Sequence, residues 1–393
     1  MILAARASCL LNSILLMMVS CGLPAARAEN TGLRVTFCPS APLWTYPLDE
    51  VHGVNSLLLQ NLGILNTGQS TVVTAVDLDL MYRGRRVDRR TITNTDLQGL
   101  KAAGPQLTPL LKAFPSQFCG TDMIPTAFTL GGETLHRAEA MLVLQEPFAF
   151  SGRRDFLQVT VHGRARHRNL VYTASIPIHI GFAPGSYVYP VRGTSYVANG
   201  PSFHTAHRWG VSEEFALDIV KLGANSQTHS GNGLRFQDYF AYGAEVRSVA
   251  DGQVVEVVST EPESEGAMIQ PSETKEQYFS RLQRDQEQRM SRGARGLAGN
   301  FIVIDQGKGV FAFYAHLKPG TLVVAKNHHV VAGEFLAGIG SSGNSTEPHL
   351  HFQLCSGPNL MNCAGIPVSF RDINLPLVDN PRALQSGDVV VTH

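Results

Sequence analysis

Gly343-Asn344-Ser345-Thr346-Glu347-Pro348-His349-Leu350-His351-Phe352 runs from a loop of small residues into an alternating segment. Side chains of an extended strand alternate between faces, so His349 and His351 point one way and Leu350 and Phe352 the other. The apolar pair asks for a core. The two imidazoles then lie about 6.5–7 Å apart along the opposite face. At that separation one ring nitrogen can bind a metal while the other reaches a water beside it. Two surface histidines on a half-buried strand would show the same pattern, so the decision rests on what the rest of the chain brings to this face.

Outward from that strand, the neighbouring segments keep the same period. Val310, Ala312, Tyr314 and His316 share a face, which puts His316 at a strand end beside Lys318-Pro319-Gly320. Phe215, Leu217 and Ile219 share another, leaving Asp218 on the opposite side. A carboxylate against an apolar sheet requires a partner, a hydrogen bond or a metal. Residues 242–255 read as two strands around an Asp251-Gly252 turn. Strands follow at 300–305 and 310–317, and a hairpin is predicted from 322–324 and 329–334. The charged stretch 260–298 interrupts the β pattern. It reads as a surface insertion whose helix opens with the Thr274-x-x-Gln277 capping box. Residues 199–210 form a polar, Gly-containing loop with His204 and His207.

The N-terminal half is also β in pattern. Val76, Leu78, Leu80 and Tyr82 alternate with Asp77, Asp79 and Met81, as Leu157, Val159 and Val161 do with Gln158, Thr160 and His162. A helix is expected from Asn94 to Phe114, interrupted by Pro105. Short strands separated by turn signals predict an immunoglobulin-like β-sandwich over 29–184. The boundary is expected near Ala183-Pro184-Gly185, with a small antiparallel β-sheet domain carrying the helical insertion over 185–393. The fold class is thus all-β. His136, His162, His167 and His179 are scattered and form no constellation.

The 393 residues suffice for two cores, and 32 basic residues balance 32 acidic ones, which gives no electrostatic case for nucleic acid. Arg6, the apolar run Leu10–Leu23 and Ala26-Arg27-Ala28 read as a signal peptide over 1–28, so the protein is expected to be periplasmic or extracellular. Lipidation at Cys21 is the competing reading. No later segment is long and apolar enough to span a membrane. Cys38, Cys119, Cys355 and Cys363 remain after the signal. Three pairings are possible in an oxidising compartment, and proximity favours Cys355–Cys363 with Cys38–Cys119.

Read in order, the C-terminal half contains Ala216-Leu217-Asp218, Gly243-Ala244-Glu245-Val246, Ala250 to Val254 and Gly299-Asn300. Tyr314-Ala315-His316-Leu317, Gly340 to Ser345 and Pro348-His349-Leu350-His351-Phe352 follow. Over about residues 187–354 this order resembles the lysostaphin-type zinc metallopeptidases, which cut peptides of bacterial peptidoglycan. The resemblance implies one Zn²⁺ held by a His, an Asp and the second His of the His-x-His pair, here Asp218 and His351. His316 and His349 would handle the water and the developing oxyanion. The first ligand departs from the pattern. Glu214 stands where the family has His, and Ala216 replaces a Gly. An ideal strand separates Glu214 from Asp218 by about 13 Å, so the candidates for that ligand rank as His207, then Glu214, then His204. The implied function is a zinc-dependent endopeptidase acting on peptidoglycan peptides. The altered ligand keeps open a non-catalytic relative that binds cell wall or regulates other hydrolases.

Overall fold

The computed structural model describes residues 32–38, 42–113, 128–264, 268, 270–379 and 381–392. The expected signal peptide and the Cys119 side of the expected Cys38–Cys119 pair lie outside them.

The protein is mostly β, and its N-terminal half is a β-sandwich. In one layer the long strands Val54–Asn66 and Ala140–Ser151 pair antiparallel from Val54↔Ser151 to Leu65↔Ala140. Leu33–Cys38 and Leu43–Asp49 flank them. In the other, Arg85–Thr93, Thr71–Tyr82, Phe156–Ala165 and Arg168–His179 lie side by side. A short parallel contact, Ile178↔Leu43 and His179↔Trp44, joins the layers at one edge. The inward residues of both layers, among them Leu57, Ile64, Val76, Leu78, Leu157 and Val159, make one core. Each such side chain contributes about 1.5–3 kcal/mol by leaving water.

The expected break at Pro105 does not occur, and one helix runs Asn94–Ala113. A proline removes one backbone hydrogen bond and crowds the preceding turn, which bends a helix without always ending it. Leu97, fully buried in the sandwich core, anchors its first turn.

The second sheet is built around the strand Leu350–Cys355. Phe311–Ala315 pairs with it on one side and Leu217–Lys221 on the other. Beyond them lie Phe301–Asp305 and Gly252–Val258 in one direction, and Thr194–Asn199 and Val389–Thr392 in the other. One face carries Leu217, Ile219, Tyr314, Leu350 and Phe352 into the main core. Cys355 and Cys363 form a disulfide across Cα atoms 5.8 Å apart, as proximity predicted.

Two local expectations fail. The strands on either side of Asp251-Gly252 do not form a hairpin, because Glu245–Arg247 pairs with Phe335–Gly338 while Gly252–Val258 joins the large sheet. Asp-Gly is local turn chemistry, and longer-range pairing overrides it. No strand forms at 322–324, and only His329–Val330 of the second segment pairs, with Gly252 and Gln253.

The insertion contains the helix Lys275–Met290, closed at its start by the reciprocal Thr274–Gln277 cap, and a short helix Gly293–Ala298. Lys275–Met290 buries no residue fully, as its polar composition requires. Among the described residues no helix is long and apolar enough to cross a membrane.

Candidate metal centre

Strand register assembles the centre. Asp218 lies directly opposite His351 on the neighbouring strand, and Ala315 lies opposite His351 on the other side. His349 enters from the residues just before this strand. His316 follows the Phe311–Ala315 strand with φ of 60°, a left-handed conformation that turns the chain at the strand end. His207 sits on a single helical turn, His207–Trp209, in the loop leading to Asp218. All five side chains are buried.

Asp218 is the hub. Its Oδ2 lies 3.4 Å from His207 Nε2, and its Oδ1 lies 3.0 Å from His351 Nδ1 and 3.5 Å from His349 Nε2. Asn199, opposite Asp218 on the next strand, donates to Oδ2 at 2.9 Å. The His316 ring is 4.7 Å from that of His349 and 5.9 Å from that of His351.

The other ring nitrogens are committed elsewhere. A carbonyl only accepts, so Nδ1–H of His207 donates to Ala216 O (3.3 Å), that of His316 to Ser342 O (2.8 Å) and that of His349 to Glu347 O (2.8 Å). Gln353 donates through Nε2 to Ser212 O at 2.9 Å, which leaves its Oε1 to accept from His351 Nε2–H at 2.8 Å. His207, His316 and His349 therefore present Nε2 as the free nitrogen, and His351 presents Nδ1. This is how outer hydrogen bonds fix the tautomer of metal-binding histidines.

Electrostatics follow the same centre. Burial alone would raise the Asp218 carboxyl, but the charges of His207 and His349 and the bonds from His349 and His351 hold it well below the usual range. Burial opposes charge on His349 and His351 too. Asp218 outweighs it in both, raising His349 and pushing His351 up to about 9. Burial, then the neighbouring His349 and His351, hold His316 well below an ordinary imidazole.

The ligand atoms of His207, Asp218 and His351 all lie within 4.8 Å of one another. Bonds of about 2.0–2.1 Å in a tetrahedral zinc site put neighbouring ligand atoms about 3.4 Å apart, close to the distances from Asp218. Two imidazoles and a carboxylate, each braced from outside, are a donor set that suits Zn²⁺ and leaves a coordination position free.

Two candidates for the remaining ligand are not brought to this group. Glu214 turns away, its Oε1 2.7 Å from Arg208 Nη1, and burial pushes its carboxyl up to about 7 against the pull of Arg208. Glu214 lies in the turn 211–215 before the Leu217–Lys221 strand, and its pairing with Arg208 holds it away from Asp218. His204 is exposed on the loop. Asn199 and Gln353 went unrecognised in the sequence. Gln353 was within reach, because alternation places it on the face of His349 and His351. Asn199 was not, since only the pairing of its strand reveals it.

Gln286 and Leu297 of the insertion line the groove at this centre, together with Glu213 and Glu347. Residues 287–363 match the model of Peptidase family M23, a span that includes His316, His349 and His351. Among solved structures, the catalytic domain of the antimicrobial peptidase lysostaphin from Staphylococcus simulans is 17% identical, covering 44% of this chain and 88% of that one at a TM-score of 0.24. The M23 metalloprotease pseudoalterin, from the deep sea, is 13% identical over 50% and 85% of the two chains, with a TM-score of 0.25. Csd3 of Helicobacter pylori is 13% identical over 80% and 68%, with a TM-score of 0.24. The match to peptidase family M23 thus falls within the C-terminal half of this chain, and His207 and Asp218 lie outside the matched span.

Proposed function

We propose that this protein is an exported zinc-dependent endopeptidase that cleaves peptide bonds in bacterial peptidoglycan. The observation that carries the reading is the convergence of three ligand atoms, from His207, Asp218 and His351, beside the free Nε2 of His316 and of His349. The match to a peptidase family supports hydrolysis, and the ordered motifs from Ala216 to Phe352, which resemble the lysostaphin-type peptidases, support cell-wall peptide as the substrate. The signal-like N-terminus and the Cys355–Cys363 disulfide support export to an oxidising compartment.

Bound by His207, Asp218 and His351, Zn²⁺ would supply Lewis acidity and make a water acidic near neutral pH. The chain's own residues do the rest. His316, kept neutral by burial and with Nδ1–H committed to Ser342, takes the proton of the attacking water on Nε2. His349, whose imidazolium Asp218 favours, donates from Nε2 to the carbonyl oxygen and then to the leaving amine. The groove holds the peptide across both histidines.

The test combines zinc analysis of the purified protein with digestion of muropeptides. Wild type is expected to carry one zinc and to cut. His316→Ala and His349→Ala are expected to keep zinc and lose about 10²–10⁴-fold in rate, and His351→Ala to lose zinc. Cleavage that survives His351→Ala overturns the mechanism. The non-catalytic reading has one observation in its favour, the diversion of Glu214 to Arg208, and it predicts a zinc-free protein that binds the sacculus without cutting it.

A further inference from the structure

His207 is the one proposed ligand carried on a loop, and residues of the N-terminal sandwich hold that loop. We infer that Gln60 and Gln145 are positioning residues for the metal centre, and that the sandwich thereby forms part of it. This rests on the zinc reading above.

The two glutamines face each other where the paired strands of the sandwich change phase. Leu57 and Leu59 face the core before this point and Leu62 and Ile64 after it. On the partner strand Met141 and Val143 give way to Phe148 and Phe150. The ladder pairs Leu59 with Glu146 and Asn61 with Leu144, which puts Gln60 against Gln145 between them. Gln145 is left-handed, with φ of 47°, a conformation that non-glycine residues rarely adopt unless their surroundings impose it. Such irregularities in paired strands re-aim side chains.

Here they aim at two consecutive carbonyls directly after His207. Gln60 Nε2 donates to Arg208 O at 3.0 Å and Gln145 Nε2 to Trp209 O at 2.8 Å. Gln60 is 0% exposed, so its bond is made out of water. The Arg208 side chain is also 0% exposed. It reaches Ser56 Oγ of the sandwich at 3.2 Å and Glu214 at 2.7 Å, with its guanidinium over the rings of Tyr46, Phe203 and Phe215. Glu214, which does not join the ligand group, thus serves as the counter-charge that keeps Arg208 in place.

A ligand on an unrestrained loop loses conformational entropy each time it binds metal. With both carbonyls clamped, His207 is ordered beforehand, and binding at Asp218 and His351 gains by that amount.

The experiment uses the full mature chain. Zinc affinity is measured by chelator competition, and the ligand set by the visible absorption of the Co²⁺-substituted protein. Gln60→Leu with Gln145→Leu is expected to weaken zinc binding by about 10- to 100-fold, the range for loss of outer-shell support, and to reduce the tetrahedral Co²⁺ bands. Leu157→Ala, in the sandwich core and remote from the loop, is expected to bind zinc as wild type does, separating positioning from loss of stability. In a His207→Ala background the two glutamine changes are expected to have no further effect, because they act through that residue. Gln145→Ala alone, at the more accessible end of the clamp, repeats the measurement if the double variant does not fold. Unchanged zinc affinity in the glutamine variants, or an equal loss in the His207→Ala background, overturns the inference and leaves the zinc reading standing. A wild-type protein that takes up no zinc overturns both.

Discussion

At His351 a proton and a metal compete for one atom. Nε2–H is committed to Gln353, so the proton that Asp218 stabilises sits on Nδ1, the nitrogen that faces the proposed ion. With His351 pushed up to about 9, this proton is present at neutral pH in the metal-free protein and has to leave when zinc enters. Zinc binding at pH 7.5 is therefore predicted to release protons, read as a dependence of calorimetric enthalpy on buffer ionisation. Affinity should climb with pH until about 9. Binding without proton release would remove His351 Nδ1 from the ligand set. The same pair sets the stability of the metal-free protein. A folded pKa above the unfolded value near 6.5 gives stabilisation that is complete below about 6.5 and lost as pH rises through about 9. Asp218, held below its unfolded value, contributes stability above about pH 4 that is lost on acidification. Melting of the metal-free protein is thus expected to peak between these limits.

Among the elements, the insertion helix Lys275–Met290 separates groove from scaffold. It buries no residue fully, yet Gln286 lines the groove and Arg289 donates to Asn344 at 3.2 Å in the loop before the His349 strand. The short helix after it is different, because Ala298 O accepts the backbone N–H of His316 at 2.9 Å. Replacing residues 275–290 by a Gly/Ser linker is predicted to leave zinc content and melting temperature near wild type while raising KM on muropeptides. Loss of zinc would show that the helix supports the centre and does not merely wall the groove. How much of this could be read beforehand follows from the range of each signal. Alternation is local, and it placed His349 and His351 on one face and Asp218 on the outer face of its strand. The register that sets Asp218 opposite His351 is a long-range pairing, and nothing in either strand alone specifies it. The return of His207 over the sheet depends on Gln60 and Gln145, remote in sequence. Asp251-Gly252 misled for the converse reason, since its turn chemistry says nothing about which strands pair.

Across the whole molecule, the ligand loop is pinned from both directions in sequence. The sandwich holds its far end through Arg208 and Trp209. Near its start, Gly200 N–H donates to Ser386 Oγ at 2.7 Å, and Ser386 N–H to Ser202 Oγ at 3.1 Å. Just beyond Ser386, Val389–Thr392 pairs with the strand that ends at Asn199, the donor to Asp218. Removing residues 386–392 is predicted to abolish zinc binding while the sandwich still melts cooperatively. Retention of full zinc content would refute this dependence. That strand also sets a schedule. A chain that emerges amino end first can fold its sandwich early, but the sheet beside Asn199 stays open until residues 386–392 arrive. The proposed metal centre is then completed only after residues 386–392 have been made, and a chain terminated before them keeps its sandwich but lacks the strand that supports the Asn199 donor to Asp218.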